Sequence, residues 1–165
     1  MSHTRKSYEP GHQRSFLVII DETPECDRAV YFASRRAMRT GGRLVMLAVV
    51  SVGDVNQQWL GVGDLMLEEA REEAEGRLDQ YAARARNLAG IEPERVLRQG
   101  TKAEEILKLI DEDEDIAVLV LAAGTGVEGP GPLVSSLAGV GSGTFPIPIT
   151  IVPGHLSDEH LDALA

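Results

Sequence analysis

Three stretches of this 165-residue chain combine residue types able to hold a small ligand. The longest covers residues 122–136 and reads Ala-Ala-Gly-Thr-Gly-Val-Glu-Gly-Pro-Gly-Pro-Leu-Val-Ser-Ser. Its glycines Gly124, Gly126, Gly129 and Gly131 let backbone N–H groups approach an anion, and a helix opening at Pro132 adds a positive dipole end. Thr125, Ser135 and Ser136 bring hydroxyl donors. Pro130 and Pro132, by contrast, have no N–H to give, and no lysine or arginine follows Lys108. The stretch therefore reads either as a phosphate cradle or as a plain turn. The Gly-Lys-Ser/Thr of a triphosphate-binding loop is absent, and so is a Gly-x-Gly-x-x-Gly turn after the first apolar run. The second stretch is Asp21-Glu22-Thr23, which follows Phe16-Leu17-Val18-Ile19-Ile20. The third is Val49-Val50-Ser51, at the end of the apolar run 44–50.

Other reactive side chains carry less. Cys26 is the only cysteine and has no histidine near it in sequence, so it reads as an inert thiol. The four histidines, His3, His12, His155 and His160, lie in the terminal segments, without the spacing of metal ligands, and no metal is expected. Ser135 and Ser136 have no evident base, so nucleophilic catalysis has no support. Trp59 reads as a local anchor in a loop over residues 51–63. The run Asp111-Glu112-Asp113-Glu114-Asp115 reads as a solvated loop after a helix rather than a cation site.

The elements that must position these residues follow from hydrophobic patterning. Residues 16–20, 44–50 and 116–121 are continuous apolar runs without alternation, the mark of strands buried on both faces. Arg95-Val96-Leu97-Arg98 is a short strand with charged flanks, suited to a sheet edge. Ile147-Pro148-Ile149-Thr150-Ile151-Val152 is a strand whose prolines confine it to an edge or a covered position. A helix follows the first strand, with Pro24 in its first turn and Thr23 as its cap, and stops at Gly41. A long helix over 64–88 carries Leu67, Ala74, Leu78, Tyr81 and Ala85 at helical spacing, supported by a Glu73–Arg77 pair. A third helix holds Ala103, Ile106, Leu107 and Ile110, and a short one begins near Ser157. Strands alternating with helices predict an α/β fold with a parallel sheet wrapped on both faces. Ligands of such sheets bind at the carboxyl ends of the strands, where all three stretches fall. Residues 1–14 are expected as a flexible tail and 154–165 as a C-terminal tail with that short helix, around one domain over 15–153.

Composition narrows the function. Sixteen basic and 26 acidic residues give a net charge of −10, which disfavours nucleic acid and anionic membranes as partners. Residues 101–165 alone hold two basic and 11 acidic side chains. The longest apolar runs are too short to span a bilayer. The lone cysteine and the polar first 15 residues point to the cytoplasm.

In order and spacing, several pieces resemble the universal stress protein family over residues 15–153. They are Phe16-Leu17-Val18-Ile19-Ile20-Asp21, Thr40-Gly41-Gly42-Arg43-Leu44, Gly100-Thr101-Lys102-Ala103-Glu104-Glu105-Ile106-Leu107, Val118-Leu119-Val120-Leu121 and Pro146-Ile147-Pro148-Ile149-Thr150-Ile151-Val152. The resemblance implies a five-stranded parallel sheet in the order 3-2-1-4-5 and a homodimer. It also implies ATP or AMP held by an acid after the first strand, by residues ending the second, and by Gly-x2-Gly-x9-Gly-Ser/Thr after the fourth. Asp21 matches the acid, and Val49 lies where adenine contacts fall. Counting back from Pro148 places the glycine motif on Ala122, Thr125, Ser135 and Ser136, where only Ser136 fits. Shifted registers from Gly126 to Val140, or from Glu128 to Ser142, each lose one position. The expectation is a non-catalytic stress-response protein that binds nucleotide weakly through a degenerate loop. The alternative is a protein-interaction module of the same fold without nucleotide. The homodimer is expected to bury the strand over 147–152.

Overall fold

The computed structural model describes residues 4–51 and 60–165, so the reading of Trp59 lies outside the described residues. The three apolar runs become the centre of the sheet: β1 (Ser15–Ile19), β2 (Arg43–Val50) and β4 (Ile116–Ala123). β3 (Glu94–Gln99) and β5 (Ile149–Pro153) form the edges. The order is β3-β2-β1-β4-β5, as the resemblance implies, and every pairing is parallel, as the strand pattern predicts. Leu17 sits in register between Val45 and Leu119, and all three are fully buried.

Helices cover both faces. On one side lie α1 (Cys26–Thr40), α2 (Leu60–Ala89) and α4 (Asp158–Leu164). Here Ala29, Val30 and Ala33 of α1 and Ala74, Leu78 and Ala85 of α2 pack on Val18, Met46 and Val120. On the other side, α3 (Lys102–Glu112) buries Ile106 and Ile110 against Leu17, Leu47 and Leu119. Between β4 and β5 the chain makes only a π-helical segment (Val134–Gly139) and a 3₁₀ segment (Val140–Thr144). Leu137 of that segment is buried beside Leu121 and Ile147.

Several boundaries differ from expectation for identifiable reasons. Thr23 does not cap α1: its N–H and hydroxyl both donate to Asp21 Oδ1, at 3.0 and 2.5 Å, and Glu25 takes the cap position. The C-terminus of α1 closes on Gly41 at φ 68°, a left-handed turn that glycine adopts without strain. α2 begins at Leu60 rather than Asp64. β5 begins at Ile149 because Pro148 has no N–H for the ladder, although its carbonyl still accepts from Leu119 N at 3.0 Å.

The N-terminal segment expected as a flexible tail differs too, because its described residues find partners, and the C-terminal tail packs through its short helix. Arg5 Nη1 donates to the Ile110 and Asp113 carbonyls, and Lys6 N donates to the Glu114 carbonyl at 2.9 Å. Lys6 pairs with Glu114 at 3.2 Å and His12 with Asp115 at 2.6 Å. Arg43 meets Asp113 at 2.5 Å, and Arg98 meets Glu112 at 2.6 Å. The acidic run is thus a neutralised junction beneath the sheet rather than a solvated loop. At the other end, Ser157 Oγ accepts from His160 N at 3.2 Å and caps α4, which buries Leu161. Tyr31 of α1 donates its hydroxyl to Asp162 of α4 at 2.9 Å.

Candidate functional site

In this strand order the chain leaves β1 toward β2 on one side and returns to β4 on the other. The crevice between the carboxyl ends of β1 and β4 is therefore the topological switch point where open parallel sheets bind ligands. A cavity of about 240 Å³ lies there. Its floor is apolar, from Ile19, Ala29, Leu121 and Ala122, and its rim carries Asp21, Glu22, Glu25 and Lys102. Pro130, Gly131 and Pro132 close the β4 side. A second cavity of about 250 Å³ adjoins it at the end of β2, lined by Val49, Ser51, Ala70, Glu73 and Arg77, and shares Glu22 and Lys102 with the first. Each falls slightly below the usual span of about 300–1,000 Å³ for ligand pockets, and joined they reach it.

The fold brings Asp21, Ala122 and Gly131 to the first cavity and Val49 to the second. Gly124, Gly126 and Gly129 line neither cavity. Gly124 N donates to the Pro130 carbonyl at 3.0 Å, and Gly129 N to the Gly126 carbonyl at 3.1 Å. Those N–H groups close the loop on itself instead of facing an anion. Glu128 folds over Gly126 so closely that a Cβ there would lie 2.4 Å from its Oε1. Glu25 Oε1 stands 3.0 Å from where a Gly124 Cβ would be. Carboxylates thus stand beside both glycines, a charge unfavourable to an anion there. Thr125, Ser135 and Ser136 are exposed and line neither cavity. The Ser136 hydroxyl donates to the Leu133 carbonyl at 3.4 Å.

The other side chains at the first cavity are quiet. Cys26 lines it but is 3% exposed, and burial pushes its thiol up to about 12. Asp21 Oδ1 is committed to the Thr23 turn. No group of histidine, cysteine and acidic residues fit for a metal occurs among the described residues. Among them also, no helix is long and apolar enough to cross a membrane.

Sequence reasoning missed Lys102 and Arg77. Lys102 opens α3 directly after β3, a position that the carboxyl-end rule puts on the same rim as Asp21. Arg77 was assigned to an ion pair with Glu73, and that pair does not form. Arg77 Nε is instead buried without a hydrogen-bond partner beside the second cavity.

Comparison with known proteins follows this geometry. The universal stress protein family model matches residues 13–153. Comparison with curated protein sequences finds no match. Among solved structures, the universal stress protein UspA from Lactobacillus plantarum is similar at a TM-score of 0.71 and 18% identity, covering 84% of this chain and 97% of that one. A universal stress protein from Archaeoglobus fulgidus in complex with dAMP has a TM-score of 0.57 and 20% identity, covering 84% and 97%. A universal stress protein in complex with cAMP has a TM-score of 0.55 and 17% identity, covering 86% and 97%. At these identities the structures speak for the fold, and the family rests on a sequence match that spans the whole sheet: the chain belongs to the universal stress protein family.

Proposed function

We propose that this protein binds an adenine nucleoside monophosphate across the paired cavities and acts as a non-catalytic, cytoplasmic stress-response protein. The observation that carries the reading is the apolar crevice at the β1–β4 switch point, with Asp21 on its rim and Val49 beside it. Its location suits a nucleoside, and similar folds are known in complex with dAMP and cAMP. A non-catalytic role accords with a Cys26 thiol that stays protonated at neutral pH. Triphosphate binding is disfavoured: the β4 loop spends its Gly124 and Gly129 N–H groups on its own carbonyls, and the Glu128 and Glu25 carboxylates stand beside it. ATP is therefore expected to bind no better than AMP, and both weakly.

The protein is further proposed to be a homodimer through β5. That strand is bonded only to β4, and its outer edge, Ile149-Thr150-Ile151-Val152-Pro153, carries no charge. Ile151 is 39% exposed. Uncovered apolar edges invite pairing.

The second reading, an interaction module without nucleotide, is favoured by the fully exposed Val127 at the tip of the closed loop. Calorimetry of the full chain with adenosine, AMP and ATP separates the two. Saturable heat with adenosine and AMP is expected; no heat with any of them would leave the interaction module.

A further inference from the structure

Glu25 is a half-buried carboxylate at the first cavity. It holds the cap position of α1, yet its side chain makes no cap hydrogen bond there. The side chain reaches across the crevice instead. Its Oε1 lies 3.0 Å from the point where a Gly124 Cβ would be, and its own Cβ lies 3.2 Å from the corresponding point at Gly154. Glu25 is thus wedged between the start of α1, the exit of β4 and the turn after β5. The absence of a Cβ at both glycines leaves room for it.

Neighbouring acids are engaged or solvated. Asp21 Oδ1 accepts from Thr23, and Glu22 is exposed. Asp27, in the first turn of α1, is bonded by Arg84 and Arg28. Glu128 is exposed and lines neither cavity. The start of α1 favours a negative charge, and Glu25 already supplies one from within the chain. Lys102 is the one cation lining this cavity among the described residues, so a second anion beside Glu25 meets little compensation. A ligand whose base lies by Val49, at the end of β2, crosses β1 before it reaches Glu25 at the β4 side. The carboxylate therefore stands in the path of a lengthening phosphate chain.

We infer that Glu25 is the residue that sets phosphate number at this site: it leaves room for a nucleoside or its monophosphate and repels a second and third phosphate. This inference rests on the nucleotide reading above and names the side chain behind its selectivity.

The test is calorimetry of the full chain with adenosine, AMP and ATP, in low salt without magnesium, for the wild type, Glu25→Gln and Glu75→Gln. Glu75 is exposed on α2 and lines neither cavity, so its variant removes the same charge elsewhere. In Glu25→Gln the affinity for ATP relative to adenosine should rise about ten-fold, and that for AMP about three-fold. In Glu75→Gln both ratios should stay at the wild-type value. Salt gives the sign without any variant: added NaCl should raise the wild-type ATP affinity relative to adenosine by screening the repulsion. Unchanged ratios in Glu25→Gln, or an equal rise in Glu75→Gln, overturn the assignment and leave the nucleotide reading standing. So does wild-type ATP binding that weakens with salt. Loss of adenosine binding in Glu25→Gln, with the Tm kept, makes the carboxylate a ligand contact and overturns its role in exclusion. Binding of none of the three by the wild type overturns the nucleotide reading and the assignment with it.

Discussion

The Asp27 carboxylate is held at both oxygens by Arg84, whose Nε donates to Oδ1 at 2.9 Å and Nη2 to Oδ2 at 3.3 Å. This contact ties the first turn of α1 to α2. Arg28 continues it, donating from Nη2 to Asp27 at 2.5 Å and to Asp158 of α4 at 2.7 Å. Arg28, Arg35 and Arg84 all stand over the Tyr31 ring, within 5.6 Å of its centroid. One face of the molecule is thereby cross-linked through α1.

Replacing Asp27 tests that network. Burial alone would raise the Asp27 pKa, but hydrogen bonds from Arg84 and Arg28 outweigh it and hold the carboxyl below its ordinary 3.8. A depressed carboxyl stabilises the fold above its unfolded pKa and loses that contribution as pH falls through the folded one. Asp27→Asn should therefore cost about 1–2 kcal/mol at pH 7. In urea titrations its deficit against the wild type should stay constant down to about pH 5 and shrink below 3.8. A deficit that grows toward low pH contradicts the assignment.

Gly154 turns the chain immediately after β5 and donates to the Ala123 carbonyl at 2.9 Å. A Cβ there would lie 2.4 Å from that carbonyl oxygen and 3.2 Å from Glu25 Cβ. The backbone oxygen cannot swing aside, so Gly154→Ala must push the end of β4 away. A loss of about 1–3 kcal/mol is expected, read as a lowered Tm. Adenosine binding should weaken with it, since β4 ends at the cavity.

Cys26 should be silent toward thiol reagents. Burial is the main cause of its raised pKa of about 12, so the reactive thiolate is scarce at pH 8. Native protein should release no chromophore from a disulfide reagent within minutes, whereas denatured protein should titrate one thiol per chain. Rapid native reaction would mean that the crevice opens far more than the structure shows.

Sedimentation velocity at micromolar concentration tests the β5 pairing. The wild type should run as a dimer, and Ile151→Lys, which places a charge on the uncovered edge, as a monomer. Ile151 is 39% exposed, so the substitution should leave the monomer's Tm within a degree or two once dimer-linked stabilisation is removed. A wild-type monomer would overturn the pairing.

The sheet was legible because β1, β2 and β4 are apolar without interruption, a pattern that admits little but double-sided burial. Asp21, Ala122 and Val49 were legible for the same reason, since their places follow from where those strands stop. The glycine stretch stayed open between cradle and turn because composition does not reveal where an N–H is spent. The Gly124 and Gly129 donors are consumed by carbonyls within the loop itself. Arg77 was hidden by a local rule: at four residues from Glu73 it looked paired, and only packing shows that its Nε turns inward. The acidic run was misjudged because its partners lie far along the chain, Arg43 and Arg98 among them.

The two edges of the sheet are chemically unequal. β3 presents Glu94, Arg95 and Arg98, with Arg43 and Asp79 engaged alongside, while β5 presents none. A sheet with two open ends grows into a ribbon; one with a single open end has a valence of one. Whatever meets β5, the blunt end at β3 stops the addition there. Pairing through β5, as proposed above, would therefore close at two chains and leave the charged β3 edges facing outward, where they resist further addition.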